Sequence, residues 1–273
     1  MVEATSTDLI SWTVKGNIIP LGKHNELDTN CVCWGVTLFD GVQYLMYYTG
    51  SNKQTPAPEI IPLAPYTTLQ AHARTLAEPW IKDGTPFLPK PGTYYSDTAS
   101  PGAVVQNGNE FLQFFAAAQN IDGKMMRTIG VARAPSMAGP WSVKALPLLP
   151  QTEQIENASL YFQPSSKQWF MFVNHIGLAS DGIREFADAI WVYWSNDLNS
   201  WSPAQKAVVM DGASSKWSKA AIGLPTIIEK DDKLAVIYDG SKTATNLPTL
   251  SDNLYRDIAL AWIQLPIKTP KIY

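Results

Sequence analysis

The sequence predicts an all-β chain folded as a β-propeller of four-stranded antiparallel blades. Three observations carry the prediction: pairs of apolar runs joined by hairpin turns, a polar turn ending in tryptophan, and a spacing that repeats. The paired runs are "CVCWGVTLFDGVQYLMYYTG", "GAVVQNGNEFLQFFAAA", "SLYFQPSSKQWFMFVNH" and "LPTIIEKDDKLAVIYDG". Their turns are Asp40-Gly41, Asn107-Gly108, Pro164-Ser165-Ser166 and Lys230-Asp231-Asp232, residues suited to tight reversals. Apolar runs this dense read as inner strands, buried on both faces.

The tryptophan turns are "STDLISWTV", "LAEPWIKDG", "SMAGPWSVK" and "NDLNSWSPA", carrying Trp12, Trp80, Trp141 and Trp201. Each stands between two short strand-like stretches. One repeat therefore reads as an inner pair, a third strand, a tryptophan turn and an outer strand. The inner pairs start near residues 35, 102, 159 and 224, about 60 residues apart, with no long amphipathic helix between them. The chain opens with a third strand, turn and outer strand between Glu3 and Leu21. It closes on an inner pair and the third strand "DIALAWIQL". An N-terminal strand completing the last blade would close the ring. The period fits a five-bladed ring with a reduced blade or a closed four-bladed ring, and residues 1–273 are expected to form one domain.

Charged residues make up only 16% of the chain and the formal net charge is −3, which excludes the basic surface of a nucleic-acid binder. No apolar run reaches the roughly 18 residues of a membrane span. The opening "MVEATSTDLISW" lacks a basic leader and an apolar stretch, which points to a cytoplasmic protein. Ten tryptophans suit both a strand-rich fold and a ring-lined pocket for a small-molecule partner. Cys31 and Cys33 share one face of a strand and are expected as free thiols. His24, His72 and His175 have no metal spacing, and no phosphate loop, nucleophile elbow or zinc motif is present. No metal and no cofactor is expected. Asn157-Ala158-Ser159 matches a glycosylation sequon, but its expected place is inside the funnel.

The acids carry the functional signal. "LDTNCVCWGV" from Leu27, "SDTASPGAVV" from Ser96 and "IENASLYFQP" from Ile155 each set an acid ahead of an inner strand, and the fourth repeat sets Lys219 there, in "SKAAIGLPTI". In a propeller those positions face a common axial pocket, which makes Asp28, Asp97 and Glu156 candidate catalytic carboxylates. Crowding raises the pKa of at least one carboxyl and leaves a general acid beside an ionised partner, as glycoside hydrolysis needs. The plainer reading is that these acids cap loops or pair with Lys219 or Arg127. Trp34, Tyr95, Trp217, His175 and Lys219 are the candidate substrate-binding residues, the rings by stacking. Core packing accounts for most of the aromatic residues, and His175 also reads as an ordinary satisfied polar side chain.

These segments resemble the five-bladed propeller glycosidases, the arabinanase/xylosidase and invertase/levanase clan. "ATSTDLISW" is similar to the "ATS-D-W" stretch that ends the first blade of the invertase-like members. "SDTASPGAVV" resembles the segment with the clan's transition-state-stabilising Asp, which implies that role for Asp97. "IENASLYF" resembles the segment with its general-acid Glu, which implies Glu156. The clan's nucleophile or base Asp lies ahead of the "ATS-D-W" stretch, and this chain starts after that point. Either Asp28, one blade before Asp97 where the clan usually places substrate contacts, has taken over as base, or the strand is truncated, or the hydrolytic machinery is lost; Asp28 is the provisional base. Thr98, not proline, follows Asp97. The implied function is glycosidase-like chemistry on a small glycoside. The low charge and many aromatics also fit a funnel reused to cyclise an apolar metabolite or catalyse its cycloaddition; a carbohydrate-binding module with a degenerate site is the second alternative.

Overall fold

A computed structural model describes residues 1–57, 60–178, 182, 185–241 and 256–270. Among these the regular structure is β-strand, apart from one 3-10 turn at Gln151–Glu153. Contacts group the chain into two compact units, Met1–Met126 with Gly130–Leu146, and Arg127–Ile129 with Pro147–Tyr273.

In the first unit, β1 (Val2–Thr5) and β2 (Thr13–Asn17) form a two-stranded sheet of their own. The expected pairing of this stretch with the last sheet is absent among the described ladders. The next repeat is β3 (Cys31–Phe39) and β4 (Tyr44–Ser51), a small ribbon of β5 (Lys53–Gln54) and β6 (Pro62–Leu63), then β7 (Tyr66–Ala73) and β8 (Ile81–Phe87). Its antiparallel order is β3-β4-β7-β8. There follow β9 (Thr98–Ser100), β10 (Val104–Asn107), β11 (Glu110–Ile121), β12 (Lys124–Ala134) and β13 (Ser142–Val143). β9 and β10 both pair with β11, and β12 and β13 complete that repeat. The two repeats join where β7 and β9 run parallel, through Tyr66↔Thr98 and Thr67↔Ala99.

In the second unit, β14 (Ile155–Gln163), β15 (Gln168–Leu178), β16 (Glu185–Ser195) and β17 (Lys206–Asp211) form a four-stranded sheet in chain order. β18 (Ala221–Lys230), β19 (Lys233–Ser241) and β20 (Asp257–Gln264) form a three-stranded sheet. All four inner hairpins and all four tryptophan turns fall where the sequence predicts them.

The reasons are local. Asp40 closes the β3–β4 turn by accepting the N–H groups of Val42 and Gln43 on Oδ1, each at 2.8 Å. Gly41 and Gly108 hold positive φ, at 99° and 62°, where a side chain would be strained. The second strands are buried almost throughout, Leu45–Tyr48 and Phe170–Val173 among them, and for that reason show no polar–apolar alternation. Trp80 and Trp201 are core residues, whereas Trp12 is exposed and donates to the Leu9 carbonyl.

Cys31 and Cys33 form a disulfide, which corrects the expectation of free thiols. Residues i and i+2 of an extended strand lie on one face, and the Cα separation of 5.8 Å falls within the span a disulfide bridges.

Candidate active site

Each acid has a defined seat. Asp28 lies in the loop before β3 and is only 2% exposed. Its Oδ2 accepts Tyr48 Oη–H at 2.9 Å and Lys82 Nζ–H at 2.6 Å. Two glycines make room for it: a methyl on Gly22 would collide with Oδ1, and one on Gly50 would press on Asp28 Cβ at 3.1 Å. Burial, and then the Asp28 charge, push the Tyr48 hydroxyl well above the ordinary phenol range.

Asp97 immediately precedes β9. Its Oδ2 accepts Ser96 Oγ–H at 2.7 Å and the backbone N–H of Asn120 at 2.9 Å. Its own backbone N–H donates to Ala118 O at 3.0 Å, and its carbonyl accepts from Tyr66 at 3.2 Å. The side chain thus ties the start of β9 to the end of β11.

Glu156 is the second residue of β14. Its Oε1 accepts from Asn174 Nδ2 at 3.1 Å and from Asn157 Nδ2 at 3.5 Å. Oε2 lies 3.5 Å from Arg127 Nε, and Arg127 binds Glu185 more closely, at 2.8 Å. Asn174 is buried and organises the group. Its Oδ1 accepts Asn157 Nδ2 at 2.9 Å and the Leu224 N–H at 3.4 Å.

The ladders show a feature hidden from the sequence. Three inner strands carry a β-bulge around a residue with positive φ: Trp34 (43°) in β3, Asn157 (59°) in β14 and Leu224 (52°) in β18. In the remaining repeat the inner strand breaks between β9 and β10 at Pro101-Gly102-Ala103. The last rung before each irregularity is Cys33↔Thr49, Ser100↔Ala116, Glu156↔Asn174 and Gly223↔Asp239. Glu156 is the one acid among the four inner residues. Asp28 stands five residues before its rung and Asp97 three, because the loops entering the strands differ in length. The register thus separates acids that the sequence aligns.

The predicted substrate-binding residues sit in diverse surroundings. Trp34 is 44% exposed and meets the Tyr66 ring edge-on at 5.9 Å. Tyr95 is packed in the core with Tyr94 and Phe115. Trp217 lies 5.8 Å from the Tyr238 ring. Lys219 is exposed and makes no ion pair among the described residues. His175 Nδ1 bonds Asp188 Oδ1 at 2.6 Å, and its ring stacks on Trp191 at 3.9 Å. A cleft of about 420 Å³ opens beside β17, lined by Val209, Met210, Asp211, Ser215, Ile222 and Tyr238 among others, and none of the predicted site residues lines it.

Sequence reasoning missed Asn174, Glu185, Lys82 and Asp239. Asp239 faces Gly223 across the ladder and is gripped by Arg256 Nη1 at 2.9 and 2.8 Å. Burial nonetheless raises its pKa, outweighing the guanidinium. Arg127 was foreseen as a partner for the acids. The others carry no short motif, since each acts through a contact made by the fold.

The four-stranded antiparallel repeats are the blades of a β-propeller, and the fold is that of the propeller glycoside hydrolases of the arabinanase/xylosidase and invertase kind. The chain is similar to a thermostable family-43 glycoside hydrolase, with TM-score 0.62 and 15% identity over 87% of this chain and 70% of that one. It is similar to an endo-arabinase from Bacteroides thetaiotaomicron, with TM-score 0.59 and 15% identity over 87% of this chain and 80% of that one. A GH32 β-fructofuranosidase of Bombyx mori matches with TM-score 0.58 and 12% identity, over 86% of this chain and 47% of that one. At such identities the likeness is one of fold. No family model matches the sequence, and no curated protein matches it.

Proposed function

We propose that the chain is a glycosidase-like enzyme that acts on a small glycoside, with Glu156 as its proton-transferring group. The observation that carries this reading is the seat of the Glu156 carboxylate. Two amide N–H groups point at Oε1 and make it an acceptor. Oε2 carries the longer Arg127 contact, at 3.5 Å, and is the oxygen assigned to carry a proton to a leaving glycosidic oxygen. The side chain of Glu156 is 29% exposed, so a substrate can reach it. The resemblance implies a charge-stabilising role for Asp97, whereas the base role expected of Asp28 does not fit its seat, 2% exposed and closed by Tyr48 and Lys82.

A panel of aryl glycosides tests the reading. Glu156→Gln is expected to lose most activity on glycosides with poor leaving groups and much less on activated ones, because only the former need protonation. Equal activity of Glu156→Gln and wild type across the panel would refute the assignment.

A further inference from the structure

The second unit holds a polar array that the glycosidase reading does not use. It starts at Asp188 on β16, whose Oδ1 bonds His175 Nδ1 at 2.6 Å. The imidazole lies flat on the Trp191 indole, with centroids 3.9 Å apart and planes 9° from parallel. Lys206 Nζ lies over the same indole at 4.5 Å and is held by Glu153 at 2.6 Å. Glu153 also accepts the Tyr193 hydroxyl. Gly177 leaves the room that the Asp188 carboxylate fills, since a methyl there would collide with Oδ2.

The imidazole is therefore fixed at Nδ1 and in its plane. Its Nε2 makes no hydrogen bond among the described residues and is not a buried atom, and the side chain is 19% exposed. A carboxylate on Nδ1 selects the tautomer with a proton there and leaves the Nε2 lone pair outward. Rungs alternate faces, so His175, opposite Ile155, projects from the side of the sheet away from Glu156, opposite Asn174.

We propose that His175 and Asp188 form a proton-accepting dyad, a second reactive site whose Nε2 activates a water or a ligand hydroxyl. The step breaks an O–H bond and forms Nε2–H, and the oxygen keeps the electron pair. The imidazolium is offset by Asp188 and faced by the Trp191 ring. With an activated ester, the freed water oxygen adds to the acyl carbon, the ester C–O bond breaks with its electron pair leaving on the alcohol oxygen, and Nε2 later returns its proton to solvent. The charged groups around the imidazole are Asp188 beside it, Asp211 on β17 in register with Ala189, the rung partner of His175, Lys206 across the indole with Glu153 on it, and Glu156 on the adjacent rung.

Two measurements on the intact chain test this. Nitrogen-15 NMR of the imidazoles is simple because the chain has three histidines. His175 is expected as the Nδ1–H tautomer at neutral pH, and an Nε2–H tautomer overturns the proposal. Hydrolysis of p-nitrophenyl acetate gives the second readout, independent of any glycoside. Its rate depends on a free Nε2 lone pair. His175→Gln should lower it about 10²-fold, and Asp188→Asn, which loses the tautomer selection but keeps the shape, about 10-fold. His72→Gln, which removes the more exposed His72–Asp83 pair, should leave it unchanged. Rates equal in wild type and the folded Asp188→Asn and His175→Gln variants overturn the proposal. Failure of the glycoside panel leaves these arms untouched, so the two readings fail separately.

Discussion

Asp28 and Lys82 meet at 2.6 Å with the carboxylate 3% and the lysine 28% exposed, an ion pair whose negative half is buried. Lys82→Met should therefore cost far more than a surface pair does, about 3 kcal/mol, because it strands a buried charge on Tyr48 alone. Urea unfolding measures it. Adding Asp28→Asn to Lys82→Met should recover part of the loss, and a loss no larger than 0.5 kcal/mol, the scale of an exposed pair, would count against the buried seat.

Asn174 ties Glu156, Asn157 and Leu224 together, so its two nearest variants separate packing from charge. Asn174→Ala should lower stability by about 2 kcal/mol at every pH by leaving buried partners unmatched. Asn174→Asp sets a second carboxylate against Glu156, and like charges raise the folded-state pKa of the pair above the unfolded value near about 4. A raised pKa stabilises below the unfolded value and loses that contribution as pH rises. The stability gap between Asn174→Asp and wild type should therefore widen from pH 4 to pH 7. A constant gap contradicts the proximity of the two groups.

Four tyrosines share one pH response. Burial pushes Tyr47 up to about 12 and carries Tyr48, Tyr94 and Tyr193 higher still. Each donates its hydroxyl proton: Tyr47 to the Met137 carbonyl, Tyr48 to Asp28, Tyr94 to the Lys144 carbonyl and Tyr193 to Glu153. The folded pKa values lie above the unfolded value of about 10. Their contribution is thus complete below pH 10 and lost as pH rises through the raised values. Tyrosinate absorbance and circular dichroism should show these four titrating together with unfolding, after the more accessible tyrosines. Four independent titrations near pH 10 in folded protein would contradict the burial.

Gly130 on β12 lies against the Phe115 ring, and an added methyl would meet three of its carbons. Phe115 is fully buried and flanked by Phe87, Tyr94 and Tyr95, so it has no room to retreat. Gly130→Ala should cost about 1–3 kcal/mol despite alanine's lower unfolded entropy. Calorimetry reads this as a lowered melting temperature, and an unchanged or raised one would contradict the packing.

The hairpins were legible because their signals are short and local. Asp40-Gly41 and Asn107-Gly108 state a reversal within two residues, and runs such as Phe170–Val173 state burial within four. The seat of Glu156 was partly legible: its acid position was marked, and Arg127 was a foreseen partner. Asn174 was not, since it lies 18 residues away in sequence and nothing near it distinguishes it from any asparagine in a strand. The disulfide went unread because a bridge between residues i and i+2 of one strand is expected to be strained, whereas here the two Cα atoms come within 5.8 Å.

The sequence by itself determined the succession of strands, the tryptophan turns and the repeat that makes the chain a propeller, since hydrogen-bonding turns and apolar runs act over a few residues. Only the tertiary structure decided how far each acid stands from the rung of its repeat. The bulges form at Trp34 and Leu224, residues that disfavour a left-handed backbone, and at Asn157, which tolerates one but sits inside a strand-like run that gives no sign of it. Neighbouring strands impose that conformation, and with it they decide that Glu156 reaches Asn174 and Arg127 while Asp28 is enclosed by Tyr48 and Lys82.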